Sequence, residues 1–258
     1  MKVFGDYARY YNLLYKNKDY ASESRFVLDR LQDNGCTPRT LLDLGCGTGK
    51  HALEMAWHGM TVKGVDMSDT MLSMGKNEIQ RITQNTQTAI ILPELHQGDV
   101  RSIRLNQTFD AATSLFHVMS YQNTEEDALA ELETAKQHLK RGGIFLFDFW
   151  YGPGVLTDPP VECDKIMEDD DTLVHRHASP RHRANDNIVE VHYTIKLTDK
   201  NTGAENELCE SHSMRYWFMP ELRYLARQCG FSVVGEGAWM QTGGASTHTW
   251  NAWMTVKK

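Results

Sequence analysis

A short apolar run that breaks into three alternating glycines governs what this chain can become. Thr40-Leu41-Leu42-Asp43-Leu44 has the unbroken hydrophobicity of a strand buried on both faces. Gly45-Cys46-Gly47-Thr48-Gly49 follows at once, and residues from His51 to Trp57 read as a helix closed by Gly59. Residues 61–66 form a second apolar strand that ends in the carboxylate of Asp66, and Ser68 is placed to cap a helix starting at Asp69. Strand, helix, strand is a βαβ unit, which obliges a parallel sheet with right-handed crossovers.

The alternation continues. A helix is expected over 69–85, a short strand before Gly98-Asp99, a strand over 109–115, and a helix over 125–139 with Leu129, Leu132, Ala135 and Leu139 on one face and Gly142-Gly143 as its stop. Residues 144–149 are apolar enough for the sheet centre. Pro153, Pro159 and Pro160 then make an irregular link. Period-two alternation over 173–177, 188–197 and 208–218 predicts three antiparallel strands. A helix over 220–229 and strands over 231–235 and 250–256 close the chain. Before all this, residues 7–34 read as helical with a polar turn at 16–20, and carry Tyr7, Tyr10, Tyr11 and Tyr15 at helical spacing. The expected fold is therefore α/β: a seven-stranded Rossmann-like sheet with an inserted small antiparallel β subdomain. Residues 1–152 with 219–258 form the main domain, 1–35 its helical cap, and 153–218 the insert.

Composition narrows the function. Of 258 residues, 41% are hydrophobic, which is enough for a packed core. The net charge of −7 argues against a nucleic-acid partner, which calls for a cationic surface. No stretch approaches the roughly 20 apolar residues of a membrane span, and the N-terminus lacks the apolar core of a signal peptide. The five cysteines are an odd number without a CxxC pair, so disulfides and structural zinc are not expected. These features together indicate a cytoplasmic protein with reduced thiols, with a homodimer left open.

The glycine turn is a cofactor signal. It is not the dinucleotide fingerprint GxGxxG, because residue 50 is lysine, nor a P-loop, because His51 follows Lys50. The run LDLGCGTG resembles the first motif of the class I S-adenosylmethionine-dependent methyltransferases, over residues 40–150 and 220–258. That resemblance implies S-adenosyl-L-methionine as cofactor and assigns positions to it. Gly45, Cys46 and Gly47 would approach the methionine and ribose portions, with Cys46 contributing position rather than thiol chemistry. Asp43 would reach the methionine amine, Asp66 both ribose hydroxyls, Met67 the adenine face, and Asp99, with Val100 beside it, the adenine amine. Leu115 would hold the methionine end through its backbone.

The chain also resembles a narrower group, the methyltransferases that act on the amino group of nucleotide-linked deoxysugars. The matching pieces are Tyr11-Asn12-Leu13-Leu14-Tyr15, His96-Gln97-Gly98-Asp99, Ser114-Leu115-Phe116 leading to Tyr121, and Asp148-Phe149-Trp150-Tyr151, where that group usually carries Glu-Pro-Trp-Trp. It implies a methyl transfer to the amine of a deoxy-amino sugar on a nucleotide diphosphate, with Tyr11 and Tyr121 at the acceptor and Tyr15 and Trp150 in the substrate site. His117 is a third catalytic candidate because imidazole titrates near neutrality. For Tyr11, Tyr121 and His117 core packing is the competing explanation. Arg176, Arg181 and Arg183, among His175, His177 and His182, read either as a solvated hairpin or as a diphosphate site, and no metal is expected. An N- or O-methyltransferase of another small metabolite, or a cofactor-binding regulatory module without turnover, are the alternatives.

Overall fold

The computed structural model of the chain describes residues 10, 11, 13–84 and 90–258. Tyr7, Asn12 and Asn85, which belong to the expected helices, lie outside the described residues. In chain order the elements are α1 (Tyr20–Asp33), β1 (Thr40–Leu44), α2 (Lys50–Trp57), β2 (Thr61–Asp66), α3 (Asp69–Gln84), β3 (Glu94–Gln97), β4 (Phe109–Ser114), α4 (Glu125–His138) and β5 (Leu139–Trp150). There follow α5 (Gly152–Thr157), β6 (Cys163–Glu168), β7 (Thr172–Arg183), β8 (Ile188–Asp199), β9 (Glu205–Arg215), α6 (Met219–Gln228), β10 (Ser232–Ala238) and β11 (Asn251–Lys257). Seven strands form one mixed sheet in the order β10-β11-β5-β4-β1-β2-β3, and the other four form an antiparallel sheet in the order β6-β7-β8-β9.

The sequence of β5 shows why the large sheet is covered on both faces. Phe145, Phe147 and Phe149 pack with Leu132 and Ala135 of α4 and Leu222 and Leu225 of α6. Ile144 and Leu146 point the other way, toward Val27 and Leu31 of α1 and Ala52 and Met55 of α2. Each such side chain contributes roughly 1.5–3 kcal/mol when fully buried. β1 pairs in parallel with β2 on one side and β4 on the other. The strand order reverses there, and the carboxyl ends of β1, β2 and β4 flank the place where α/β sheets bind ligands.

Three departures from the expected elements have local causes. The glycines at 142 and 143 do not end α4, because β5 begins at Leu139, directly after the helix. They lie instead where the pairing of β4 with β5 jumps from Phe109↔Leu139 to Ala111↔Ile144, a bulge that Gly142 allows with φ +78°. The insert has four strands rather than three. β6 has no buried alternation, being exposed at Cys163, Asp164, Lys165 and Ile166, and exists through its pairing with β7. Third, β7 runs on through Pro180. It can do so because β6 pairs only as far as Ala178, so Pro180 sits where β7 is an edge strand and lacks no ladder donor on that side.

Candidate active site

The turn after β1 is built from glycines that take φ values L-residues avoid: +74° at Gly45, +55° at Gly47 and +71° at Gly49. A side chain on Gly45 would also strike Val118, whose Cγ2 lies 2.3 Å from the Cβ position. Asp66 ties the turn to the end of β2. Its Oδ2 accepts from the Gly47 N–H at 2.8 Å and its Oδ1 from the Ser68 N–H at 2.9 Å. Each oxygen keeps acceptor capacity, because a carboxylate offers about four lone-pair sites. Beside it Met67 is 62% exposed. An apolar side chain left in water next to a fixed carboxylate and an open glycine turn suits a ligand with a flat ring and vicinal hydroxyls.

The other cofactor candidates gather around this turn in different states. Asp43 is buried under it, accepts from Thr113 Oγ1 at 2.9 Å, and is pushed up to about 6 by burial. Cys46 is buried with its Sγ 2.7 Å from where a Cβ on Gly64 would stand, and burial raises the thiol far above its ordinary range. The residue serves packing, and its thiol is not presented. Asp99 is held by Arg101, which donates to both carboxylate oxygens and reaches on to Asp127 at 2.8 Å. That arrangement keeps Asp99 charged, below the usual carboxylate range. Val100, three residues beyond β3, and Leu115, directly after β4, are buried.

A run of aromatic rings leads from the turn to a second space. The Tyr11 hydroxyl lies 3.9 Å from the Cβ position of Gly47. Tyr11 and Tyr15 have ring centroids 4.7 Å apart, and Tyr15 stands edge-on to Phe116 at 5.1 Å. Beyond them is a cavity of about 710 Å³, lined by Tyr15, Lys16, Lys18, Phe116, Lys165 and Arg176 among others. Lys18 sits 4.3 Å over the Phe116 ring and pairs with Glu23, which also holds His51 Nε2 at 2.7 Å. Burial, and then the neighbouring phenols of Tyr10, Tyr121 and Tyr193, push the Tyr15 hydroxyl above its usual range. Of these phenols Tyr15 lines the cavity, and Tyr10 is buried in the apolar cluster with Val174, Ile195 and Leu197.

The loop after β4 is strained. Phe116 and His117 have φ +67° and +66°, which costs of order 1–3 kcal/mol each for residues with a Cβ. Asp148, 1% exposed, holds the second of them. Its Oδ1 accepts from the His117 N–H at 3.1 Å and its Oδ2 lies 2.6 Å from His117 Nδ1. Trp150 packs on Trp250 at 5.0 Å, with its ring 6.4 Å from His117. Tyr121 is 46% exposed and its hydroxyl lies 2.9 Å from His212 Nδ1.

The three arginines do not converge. Arg176 lines the cavity with its guanidinium 4.8 Å from the Tyr193 ring centre. Arg181 and Arg183 lie on the opposite face of β7, exposed, with Arg183 paired to Asp186 and Glu190. Strand parity was the readable signal: residue 176 is even, and 181 and 183 are odd on an unbroken strand. The same parity puts His175 and His177 outside, both within 3.1 Å of Asp164 Oδ1. Among the described residues no group of three or more His, Cys, Asp or Glu is placed to hold a metal ion. Sequence reasoning missed Glu131, whose signal was an acid on the apolar face of α4. It is fully buried, accepts from Ser114 Oγ at 2.6 Å, and is pushed up to about 7 by burial.

Comparison with known proteins gives the family and the fold. Residues 41–143 match the family described as a methyltransferase domain. The chain is 30% identical over 192 residues to the dTDP-3-amino-3,4,6-trideoxy-alpha-D-glucopyranose N,N-dimethyltransferase of Streptomyces venezuelae, covering 74% of this chain and 76% of that protein. It is 26% identical to the dTDP-3-amino-3,6-dideoxy-alpha-D-glucopyranose N,N-dimethyltransferase of Streptomyces fradiae, covering 89% and 85%. Its fold is that of a S-adenosylmethionine-dependent methyltransferase from Clostridium acetobutylicum, with a TM-score of 0.80 at 20% identity over 99% and 98% of the two chains. No described helix is long and apolar enough to cross a membrane.

Proposed function

The chain belongs to the S-adenosylmethionine-dependent methyltransferases, and from that premise we propose that it methylates the amino group of a deoxy-amino sugar carried by a nucleotide diphosphate. One observation carries the reading: aromatic rings connect the glycine turn to a cleft with Lys16, Lys165 and Arg176 in its lining. A cationic cavity of that size suits a phosphorylated acceptor, and the two relatives act on sugars of this type by name. The main domain in this reading is 1–152 with 219–258, and 153–218 is the insert that completes the acceptor cleft. A cytoplasmic location belongs to the same reading, supported by five free thiols. Sedimentation of the chain decides between a monomer and a homodimer.

S-adenosylmethionine supplies an electrophilic methyl on a sulfonium, whose carbon–sulfur electrons stay with the departing thioether. The chain's residues bind, align and manage protons. Asp66 takes the ribose hydroxyls, Asp43 the methionine ammonium, Met67 the adenine face, and Asp99 the adenine amine once Arg101 gives up one of the four hydrogen bonds it makes to that carboxylate. Tyr11 and Tyr121 orient the acceptor nitrogen, and Trp150 and Tyr15 wall its site. His117, fixed by Asp148, follows Phe116, which lines the cleft.

Asp66→Ala removes acceptors for two hydroxyls and is expected to weaken cofactor binding by about 2–3 kcal/mol, roughly 30- to 150-fold by calorimetry. Unchanged affinity would remove Asp66 from the site. For the acceptor, the deciding comparison is a nucleotide sugar with an amine against the same sugar with a hydroxyl at that carbon. The amine is expected to be methylated, with a rate that rises with pH as its free base forms. Arg176→Gln should raise KM for that substrate about tenfold with little change in kcat. Equal turnover of both sugars, or of neither, would refute the amino-sugar reading.

A further inference from the structure

The turn after β4 and the inserted sheet meet in a chain of three side chains, of which the function above uses only Tyr121. The Tyr121 hydroxyl lies 2.9 Å from His212 Nδ1, and His212 Nε2 lies 3.3 Å from Glu210 Oε2. Glu210 and His212 are two apart on β9 and share one face of the strand. Tyr193, paired with Glu210 on β8, has its ring 5.5 Å from that of His212, and Arg176 of β7 stands over Tyr193. Among the described residues, His212 is thus faced by Tyr121 from the turn, Glu210 from its own strand and Tyr193 from β8, with Arg176 behind.

A carboxylate only accepts hydrogen bonds. Glu210 therefore favours the neutral imidazole that carries its proton on Nε2, which leaves the Nδ1 lone pair facing the Tyr121 O–H. A neutral phenol is a poor base by itself, since its own proton leaves only near pH 10. It can take a proton from a protonated amine if it gives one up at the same time. We propose that His212, with its tautomer set by Glu210, is a positioning residue that receives the proton of Tyr121 while Tyr121 takes one from the newly methylated nitrogen.

The inference rests on the amine reading of the acceptor. Its proton balance closes. The ammonium N–H passes to the Tyr121 oxygen, the Tyr121 proton passes to His212 Nδ1, and the products are a neutral amine, a neutral phenol and an imidazolium facing the Glu210 carboxylate. The His212 side chain is 30% exposed, so the imidazolium can return its proton to water. While the ring is already protonated the relay is blocked, so kcat must fall on the acid side.

The first test needs neither cofactor nor acceptor. Nitrogen NMR of the free protein is expected to find His212 as the Nε2–H tautomer, and Glu210→Ala should raise the share of the Nδ1–H form, because the acceptor that holds the proton on Nε2 is gone. A Nδ1–H tautomer in the wild type, or a tautomer balance unmoved by Glu210→Ala, overturns the proposal. The second test is kinetic, with an amine that the wild type turns over. His212→Asn, checked for wild-type melting temperature, should lower kcat about tenfold with KM within about twofold, and should abolish the acid limb. Glu210→Gln should fall between the two. Wild-type kcat and pH profile in His212→Asn sink the relay and leave the substrate reading intact. A wild type inactive on every amine sinks the substrate reading, and the tautomer measurement still decides on His212.

Discussion

Asp43→Asn is expected to make the cofactor-free protein more stable and the enzyme worse. The carboxyl is buried beneath the glycine turn, and burial raises it to about 6 against roughly 3.9 in an unfolded chain. The folded state thus binds more protons than the unfolded state between those values. Stability falls as pH rises through that window and stays lower above it. Two units correspond to about 3 kcal/mol, and asparagine, which can still accept from Thr113, removes that penalty. The variant should melt several degrees higher at pH 8 and match the wild type near pH 4. Cofactor binding should move the other way. Loss of a charged hydrogen bond to the methionine ammonium costs about 1.5–3 kcal/mol, so affinity should drop at least tenfold. Wild-type affinity should also decline below pH 6 as Asp43 takes up its proton, and the variant should show no such decline. Calorimetry and melting over pH 4–8 check both halves. A variant that binds as the wild type does would remove Asp43 from the site.

Gly75→Ala should be destabilising where helix propensity predicts the reverse. On an exposed helix the change is worth about 1 kcal/mol of added stability. Gly75 is on α3, and its Cβ position lies 2.3 Å from the Thr48 carbonyl oxygen and 2.7 Å from the carbonyl carbon. Those are backbone atoms between Gly47 and Gly49, so the clash cannot be relieved by turning a side chain. Overpacking of this kind costs about 1–3 kcal/mol or more, and any relaxation moves the cofactor turn. A lower melting temperature and at least tenfold weaker cofactor binding are expected together. Ser73→Ala, exposed on the same helix, is the control and should stabilise slightly or do nothing. A Gly75→Ala protein with wild-type affinity would mean that α3 and the turn are not mechanically linked.

The residues whose positions could be read from sequence are those fixed by local rules. Gly45, Gly47, Asp43 and Asp66 fall within 24 positions, and one βαβ unit brings them together. Gly75 is close in sequence too, but its meaning is a packing distance that no local pattern carries. The hydrogen bond of Asp148 to His117 spans 31 positions and exists because β4 and β5 are neighbours. Tyr121 and His212 are 91 positions apart and belong to different sheets' surroundings, so neither predicts the other. β6 escaped because an exposed edge strand need not alternate. The opposite orientation of Arg181 and Arg183 from Arg176 was available as parity and required only that β7 be read as one strand through Pro180.

The insert leaves and rejoins the large sheet at one place. Tyr151 and Trp217 form a parallel bridge, with the Trp217 N–H donating to Trp150 at 2.8 Å and the Gly152 N–H to Trp217 at 2.9 Å. A segment whose two ends are neighbours can be exchanged without respacing the strands that flank it. Grafting the corresponding stretch of a related enzyme between Tyr151 and Trp217 should therefore exchange the insert's share of the cleft, Lys165 and Arg176, as a cassette, while Tyr11, Tyr15 and the glycine turn stay as the host built them.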